Sequence, residues 1–149
     1  MSRPFTVAGF LLILASVAGA QTATTTGILT QGRYCLDLAG EFSPTNPPPF
    51  GTRVVAEACS GRPSQRWVQF YGDDDSLFAV GDRLPVLGFE EARGTTVNVG
   101  GRETQRSPRY DSDLHIIADS GQERCLTRAE RDVYMAPCDG SPAQRWELR

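Results

Sequence analysis

The side chains that most often carry enzymatic chemistry are few in this sequence. It has one histidine, His115, and four cysteines, so the common Ser-His and Cys-His nucleophile pairs have little to draw on. Carboxylates are plentiful, with 18 Asp and Glu residues, and a glycosidase pair stays open as the alternative. However, nothing in the sequence pairs these carboxylates. The residue types therefore predict a protein without catalytic activity.

Candidates for metal binding are equally weak. The cysteines show no Cys-x-x-Cys spacing, and a zinc site would lack its usual histidine ligands. Two acidic runs, Asp73–Asp75 and Asp111–Asp113, offer the carboxylate oxygens that calcium prefers. Each run falls where a hairpin turn is expected, and neither has the spacing of a known calcium-binding loop. We therefore predict solvated turns at both places, with no metal and no cofactor.

The first 20 residues have the composition of a secretory leader. Arg3 gives a positive start, Val7–Val17 is apolar, and Ala18-Gly19-Ala20 supplies small residues at the cleavage positions. A transmembrane anchor, the alternative, needs about 20 consecutive apolar residues, more than this run provides. We predict cleavage after Ala20 and export to the extracellular or periplasmic space. No later stretch is long and apolar enough to span a bilayer.

The exported part has an acidic balance. Removing the leader takes away Arg3 and leaves 14 arginines against 18 acidic residues, a net charge of −4. This balance argues against nucleic acid as a partner, since basic patches supply that affinity. The length suits one domain with a single core. We expect residues 21–26 to be a flexible N-terminus and residues 27–149 to form the domain.

A segment of about 40 residues recurs three times. Cys59–Trp67 and Cys138–Trp146 share Cys, Gly, Pro, Gln, Arg and Trp in one register, whereas Val99–Ser107 keeps only the Gly, Gln and Arg. The shared glutamines are 40 and 39 residues apart, at Gln65, Gln105 and Gln144. A unit this short cannot bury its apolar face alone, so the copies must share one core. Their approximate bounds are 27–71, 72–110 and 111–149.

The cysteines follow the repeat. An even number of cysteines in an exported chain indicates disulfides. The first and third copies each have two, and the middle copy has lost both. Loss as a pair indicates bonds within a copy, which are Cys35–Cys59 and Cys125–Cys138.

Short runs of apolar and β-branched residues bounded by Gly, Pro and Asp predict strands. In the first copy they cover residues 28–30, 34–38, 53–57 and 67–71. The joints between copies have acidic turn residues between apolar runs, which is typical of hairpins. We find no persuasive long helix. Because closing a sheet removes its exposed edges, the pattern predicts a closed all-β domain with threefold repetition.

The Cys-Leu-Asp opening at Cys35 and the repeated Gln-x-Trp ending resemble the ricin B-type lectin family, over about residues 27–149. The resemblance implies a β-trefoil with pseudo-threefold symmetry. It also implies that Trp67 and Trp146 lie in the core and that Gln65 and Gln144 bond to nearby backbone. Ser107 replaces the third tryptophan, and we expect Tyr110 or Phe89 to fill the space.

Sugar recognition in that family usually takes three groups from one lobe. They are an Asp two residues after the first cysteine, an aromatic ring on the third strand and an Asn beside the signature Gln. At these three positions, in that order, the first lobe has Asp37, Glu57 and Ser64, the last of which precedes Gln65. The third lobe has Thr127, Ala136 and Ala143. The middle lobe has Pro85, Val97 and Thr104. The resemblance thus implies an eroded galactose-type site, with Asp37, Glu57, Ser64 and Gln65 as candidate ligand-binding residues. A turn-stabilising role for Asp37 is the alternative.

The first copy also carries an insertion. Its cysteines are 24 residues apart, against 13 in the third copy, and the 11 extra residues include the loop Pro44–Phe50. Three successive prolines favour an extended polyproline conformation, which lowers the entropy cost of presenting the loop to a protein. An unselected surface insertion is the alternative.

Two functions follow from these observations. The first is a secreted, non-catalytic carbohydrate-binding module whose partner is a carbohydrate or glycoprotein. The rival is a β-trefoil that no longer binds sugar and uses its loops on a protein, as a toxin-complex subunit, an inhibitor or a receptor ligand.

Overall fold

The computed structural model describes residues 24–43, 45–70, 77–79, 86–89, 97–100 and 108–149. The predicted leader, the acidic run Asp73–Asp75 and Ser107 lie outside these residues, as does most of the middle copy. The side chain of Phe89 is also outside the description.

The described residues form short β-strands and two single-turn 3-10 helices, Pro63–Gln65 and Pro142–Gln144. The strands up to the end of the first copy are β1 (Thr24–Gly27), β2 (Leu29–Gln31), β3 (Tyr34–Leu38), β4 (Val54–Ala58) and β5 (Trp67–Phe70). The middle copy contributes β6 (Leu77–Ala79), β7 (Val86–Phe89) and β8 (Val97–Gly100). The remaining strands are β9 (Arg109–Asp111), β10 (Ile116–Ala118), β11 (Arg124–Ala129), β12 (Asp132–Pro137) and β13 (Glu147–Leu148). No α-helix occurs among these residues, and the all-β prediction is confirmed.

The strands pair antiparallel in two sheets. One sheet has five strands in the order β1-β5-β6-β7-β8, and the other has eight in the order β13-β2-β3-β4-β12-β11-β10-β9. The first and third copies meet twice in the larger sheet. β13 pairs with β2, and Asp132 of β12 lies opposite Val55 of β4. The two copies that keep their cysteines and tryptophans therefore share one sheet.

The N-terminal boundary differs from the expectation. Residues 24–27 form β1, which pairs with β5 in the register Thr24 to Phe70 and Gly27 to Trp67, where a flexible segment was expected through residue 26. Gly27 also lies against the chain's other end, because a side chain there would collide with the carbonyl oxygen of Arg149. Ile28 and Arg149 exchange two backbone hydrogen bonds of 2.8 and 2.9 Å. The sheet partner, which is distant in sequence, orders this segment.

The part of the core formed by the described residues lies mainly on strands of the first and third copies. On β3 and β4, alternate residues point inward, so that Leu36 is opposite Ala56 and Leu38 is opposite Val54. Both tryptophans are fully buried. The buried hydrophobic cluster comprises Leu29, Leu36, Leu38, Val54, Ala56, Trp67, Tyr110, Ile117, Leu126, Val133, Met135 and Trp146.

The two preserved copies repeat the same hydrogen bonds. The indole Nε1 of Trp67 donates to the carbonyl oxygen of Leu36 at 2.9 Å, and that of Trp146 donates to Leu126 at 3.0 Å. Leu36 and Leu126 each follow the first cysteine of their copy. Equivalent residues thus form equivalent contacts.

Tyr110 is part of the core. Its hydroxyl donates to the carbonyl oxygen of Trp146 at 3.3 Å and accepts from the backbone N–H of Leu148 at 3.2 Å. Whether its ring takes the place of the tryptophan missing at Ser107 stays a prediction, because Ser107 lies outside the described residues.

Two disulfides join Cys35 to Cys59 and Cys125 to Cys138, the pairs expected from the repeat. The first spans 24 residues and the second 13. The bonds tie β3 and β11 to the segments that lead into the two 3-10 helices, and so hold the buried glutamine of each segment near its strand.

Replacing both Cys125 and Cys138 with serine should lower the free energy of unfolding by about 3 kcal/mol, because the unfolded chain regains the freedom of a closed loop. Urea denaturation followed by tryptophan fluorescence measures the change. Serine at both positions avoids a free thiol. The Cys35–Cys59 bond stays intact in this variant, so the measured change belongs to the Cys125–Cys138 bond alone. An unchanged denaturation midpoint would show that this disulfide adds nothing to stability.

The turn between β9 and β10 contains His115. His115 has a positive φ of 55° and precedes β10, and its carbonyl oxygen accepts the backbone N–H of Trp146 at 2.7 Å. In the same turn, Asp111 Oδ1 accepts the backbone N–H groups of Asp113 and Leu114. These bonds fold the acidic run as a turn that its own side chain stabilises.

Across the described part of the chain, we find no helix with the length and apolar character needed to cross a membrane.

Candidate functional site

Asp37 lies on the outer face of β3 but has no exposed surface. Its neighbours Leu36 and Leu38 point into the core, so the alternation of the strand turns Asp37 the other way. Its Oδ1 accepts the backbone N–H of Leu38 at 2.7 Å. Its Oδ2 accepts Nε2 of Gln65 at 2.9 Å and forms an ion pair with Nη2 of Arg62. Both carboxylate oxygens are therefore engaged within the protein.

Gln65 ends the first 3-10 helix and is fixed at both ends of its amide. Its Nε2 donates to the carbonyl oxygen of Ala58 at 3.0 Å, in addition to Asp37, and its Oε1 accepts the backbone N–H of Ser60 at 2.9 Å. The proline at the start of this helix sets the backbone for the turn. Ser64 is also buried, beside Gln65, and its hydroxyl forms no hydrogen bond with the described residues. The fold thus brings Asp37, Ser64 and Gln65 together.

Glu57 does not join this group. It lies on β4, and its carboxylate pairs with Arg131, at the tip of the β11–β12 hairpin of the third copy. The hydrogen bond to Glu57 raises the pKa of Arg131. The pair adds to a backbone hydrogen bond from Ala56 to the carbonyl oxygen of Arg131 at 2.8 Å. In this structure Glu57 links two copies.

Arg62 is the residue that sequence reasoning missed. Its side chain is 37% exposed, yet its Nε is buried without a hydrogen-bond partner in the described part of the chain. The only signal in the sequence is a difference between copies, since Ser141 stands at the same position of the third copy. The two positions have nearly the same backbone, with φ and ψ of −60° and 147° at Arg62 and −69° and 157° at Ser141.

A cleft of about 350 Å³ opens beside Arg62. One wall is the turn that leads into Gln65, and the other is the start of the inserted loop. The lining residues are Glu41, Phe42, Ser43, Asn46, Arg62, Pro63 and Ser64. This cleft combines a guanidinium, two serine hydroxyls, an amide, the carboxylate of Glu41 and an aromatic ring. Of the four predicted ligand-binding residues only Ser64 lines it; Asp37, Glu57 and Gln65 do not.

The loop wall is held in place by its own contacts. Ser43 and Asn46 exchange two backbone hydrogen bonds of 3.0 Å, and the Ser43 hydroxyl also accepts the N–H of Asn46. Phe42 is half-buried and packs against the core cluster. Its ring lies so close to Gly40 that an added Cβ would be 2.7 Å from it, and Gly40 has a φ of 142°. Only glycine suits that position, because it adopts this φ and leaves room for the Phe42 ring.

Farther along the insertion, Phe50 stands out from the surface with 63% of its area exposed. A turn positions it, because the N–H of Thr52 donates to the carbonyl oxygen of Pro49 at 3.2 Å and Gly51 has a φ of 90°. Pro48 is buried beneath. The loop therefore presents one aromatic ring on an ordered turn.

The third copy has the same frame without the acid. Nε2 of Gln144 donates to the hydroxyl of Thr127 at 3.0 Å and to the carbonyl oxygen of Pro137 at 2.9 Å. Its Oε1 accepts the N–H of Asp139, whose own carboxylate accepts the N–H of Ser141. This backbone hydrogen bond from Ser141 lowers the pKa of Asp139. The copy has a threonine at the place of Asp37 and no guanidinium over it.

A second cleft, of about 300 Å³, lies beside the 3-10 helix of the third copy. It is lined by Leu114, Ile116, Gly140, Ser141, Pro142, Gln144 and Arg145. The family positions Thr127, Ala136 and Ala143 do not line it. Within the described residues, no group of three or more His, Cys, Asp or Glu side chains could hold a metal ion.

No protein-family model matches this sequence. No curated protein matches it either. Solved structures do match. The β-trefoil lectin of the Vibrio vulnificus hemolysin/cytolysin, with N-acetyl-D-lactosamine bound, has a TM-score of 0.66 and 17% identity, covering 85% of this chain and 95% of that one. The hemolytic lectin CEL-III has a TM-score of 0.63 and 18% identity, covering 83% of this chain and 30% of that one.

The enzyme GalNAc-T7, solved with UDP, GalNAc and Mn²⁺, has a TM-score of 0.64 and 20% identity, covering 83% of this chain. This chain spans only 22% of GalNAc-T7. At these identities the likeness shows the fold: the chain is a β-trefoil, and its structural neighbours include β-trefoil lectins.

Proposed function

We propose that this protein is an exported, non-catalytic carbohydrate-binding module that takes its ligand in the first-copy cleft. The observation that carries the proposal is the composition of that cleft. Phe42 offers an aromatic ring to the apolar face of a sugar, and Arg62 and Asn46 offer polar partners for its oxygens. The lectin neighbours support the same function, one of them solved with N-acetyl-D-lactosamine.

The geometry of Asp37 alters the galactose-type site that the resemblance implies. Asp37, Ser64 and Gln65 keep the family positions, but the carboxylate is covered by Arg62. Sugar contacts therefore shift outward, to Arg62 and the loop wall. A carboxylate that is buried in an ion pair is also a poor general acid or base, which favours binding over catalysis. Export is supported by the leader-like start and by the two disulfides.

The Phe42 ring provides the direct test. Residues 21–149 are screened on a glycan array, and a bound glycan is then titrated by calorimetry. Phe42→Leu should weaken its binding about tenfold, a change of ~1.4 kcal/mol, because leucine keeps the apolar packing but removes the flat ring. Phe50→Leu serves as the matched control, since Phe50 does not line the cleft.

Two outcomes would count against the proposal. An array without reproducible binding to any glycan would remove the carbohydrate function. Binding that Phe42→Leu leaves intact would place the ligand elsewhere on the protein.

The second candidate function is a protein-binding module that uses the Pro44–Phe50 loop. It is favoured by the exposed ring of Phe50 on an ordered turn, since such aromatic anchors are common at the centre of interfaces. Silence on the glycan array, together with a protein partner that Phe50→Leu releases and Phe42→Leu retains, would favour this function.

A further inference from the structure

Arg62 changes what the first-copy cleft can offer a ligand. A sugar hydroxyl that donates to a carboxylate needs a free acceptor oxygen. Both oxygens of Asp37 are already engaged, Oδ1 by Leu38 and Oδ2 by Gln65 and Arg62. With no exposed surface, Asp37 is also out of reach. A ligand in the cleft therefore meets the outer side of Arg62.

The outer side of Arg62 is rich in donors. A guanidinium carries five N–H groups, of which the Nε–H of Arg62 is buried and one on Nη2 bonds to Asp37, while more than a third of the side chain is exposed. Two N–H groups of one guanidinium fit the two oxygens of a carboxylate in a planar fork. The arrangement at this end of the cleft matches an acidic group.

The charges of the lining residues favour a ligand whose acidic group lies at the Arg62 end of the cleft. The ion pair has its negative partner buried and its positive partner at the surface, so the positive end faces the ligand. The lining carboxylate, Glu41, is on the loop wall and exposed, where water and salt screen it. An acidic group at the Arg62 end thus meets the guanidinium first.

We infer that Arg62 is the specificity-determining residue of this cleft: it closes Asp37 to neutral sugar hydroxyls and selects a sugar that carries a carboxylate. This inference rests on the proposed carbohydrate function. It names uronic acids and similar acidic sugars as the ligand class.

The third copy supplies a matched reference inside the same chain. There, serine stands at the position of Arg62 and threonine at that of Asp37, and Gln144 bonds to the threonine as Gln65 bonds to Asp37. Because the backbones at Arg62 and Ser141 agree, Arg62→Ser introduces no strain. The double variant Asp37→Thr with Arg62→Ser copies an arrangement that this chain already folds.

The test uses two pairs of sugars that differ in a carboxylate, galactose with galacturonate and glucose with glucuronate. Calorimetric titration of the mature protein should show at least about tenfold tighter binding of one uronate than of its neutral partner, a gap of ~1.4 kcal/mol. Arg62→Ser should abolish this preference and strengthen binding of the neutral sugar, because Oδ2 of Asp37 is then uncovered and accepts only the hydrogen bond from Gln65. The double variant should lose the preference without that gain, because threonine replaces the carboxylate.

Each outcome decides the matter. A wild-type protein that binds neutral and acidic sugars equally, or a uronate preference that survives in both variants, would overturn the inference and leave the proposed function standing. An array with no bound glycan would remove both. Circular dichroism checks the fold of each variant. Where Arg62→Ser is unfolded, the double variant alone decides, since a retained uronate preference overturns the inference and a lost one supports it.

Discussion

Replacing Trp146 with alanine should lower the free energy of unfolding by about 3–5 kcal/mol, which is the usual cost of truncating a buried tryptophan. Trp146 is fully buried in the core cluster, and its indole N–H satisfies the carbonyl oxygen of Leu126 at 3.0 Å. Its own backbone also bonds to His115 and to the Tyr110 hydroxyl. Chemical denaturation by urea, with the remaining Trp67 as the fluorescent probe, measures the loss.

Two variants separate the contributions. Trp146→Phe keeps most of the ring volume but leaves the Leu126 carbonyl oxygen without its partner, so we expect an intermediate loss of about 1–3 kcal/mol. Phe50→Ala removes an aromatic ring that is 63% exposed and should change stability by less than about 0.5 kcal/mol. Equal losses for Trp146→Ala and Phe50→Ala would mean that the repeated tryptophan does not anchor the core.

The features that could be predicted from the sequence are those in which a residue acts on its own copy. Trp67 bonds to Leu36, and Gln65 bonds to Ala58 and Ser60, all within one copy. The third copy repeats these bonds, so one register aligns residues of the same structural role. The strand at Tyr34–Leu38 has the predicted bounds, β4 is displaced by one residue at both ends, and β5 begins at the predicted residue. Local chemistry that recurs can be read from sequence alone.

The features that could not be predicted depend on contacts between distant segments. The segment expected to be a flexible N-terminus forms a strand, because β5 and Arg149, far along the chain, supply hydrogen bonds to it and to the residue after it. Glu57 is held by Arg131, 74 residues away. His115 takes a positive φ where its carbonyl oxygen meets Trp146. None of these partners leaves a periodic or compositional signal in the segment that it changes.

The candidate site shows the same division. Asp37, Ser64 and Gln65 were located by their offsets from a cysteine and a tryptophan, and they lie together. Arg62 lies 25 residues from Asp37 and was part of the same repeat, yet nothing about a single arginine indicates which carboxylate it will cover. The inserted loop brought Phe42 and Asn46 to the cleft, and insertions have no counterpart in the other copies from which to infer a role. The ligand-binding side of this protein is thus the part that departs from the repeat.

The second large effect concerns the ion pair itself. Arg62→Ser leaves the fully buried Asp37 without a positive partner, and we expect a loss of about 3 kcal/mol, at the lower end for a broken buried pair because water can enter where Arg62 was partly exposed. Adding Asp37→Thr removes the unpaired buried charge and should recover most of the lost stability, since Gln65 can then bond to a hydroxyl as Gln144 bonds to Thr127.

Denaturation of the wild type, both single variants and the double variant gives a double-mutant cycle, whose coupling energy measures the interaction between Arg62 and Asp37. A coupling energy near zero would show that Arg62 and Asp37 act independently. Arg62 would then lie over the carboxylate without stabilising it, and a ligand could displace the guanidinium at little cost.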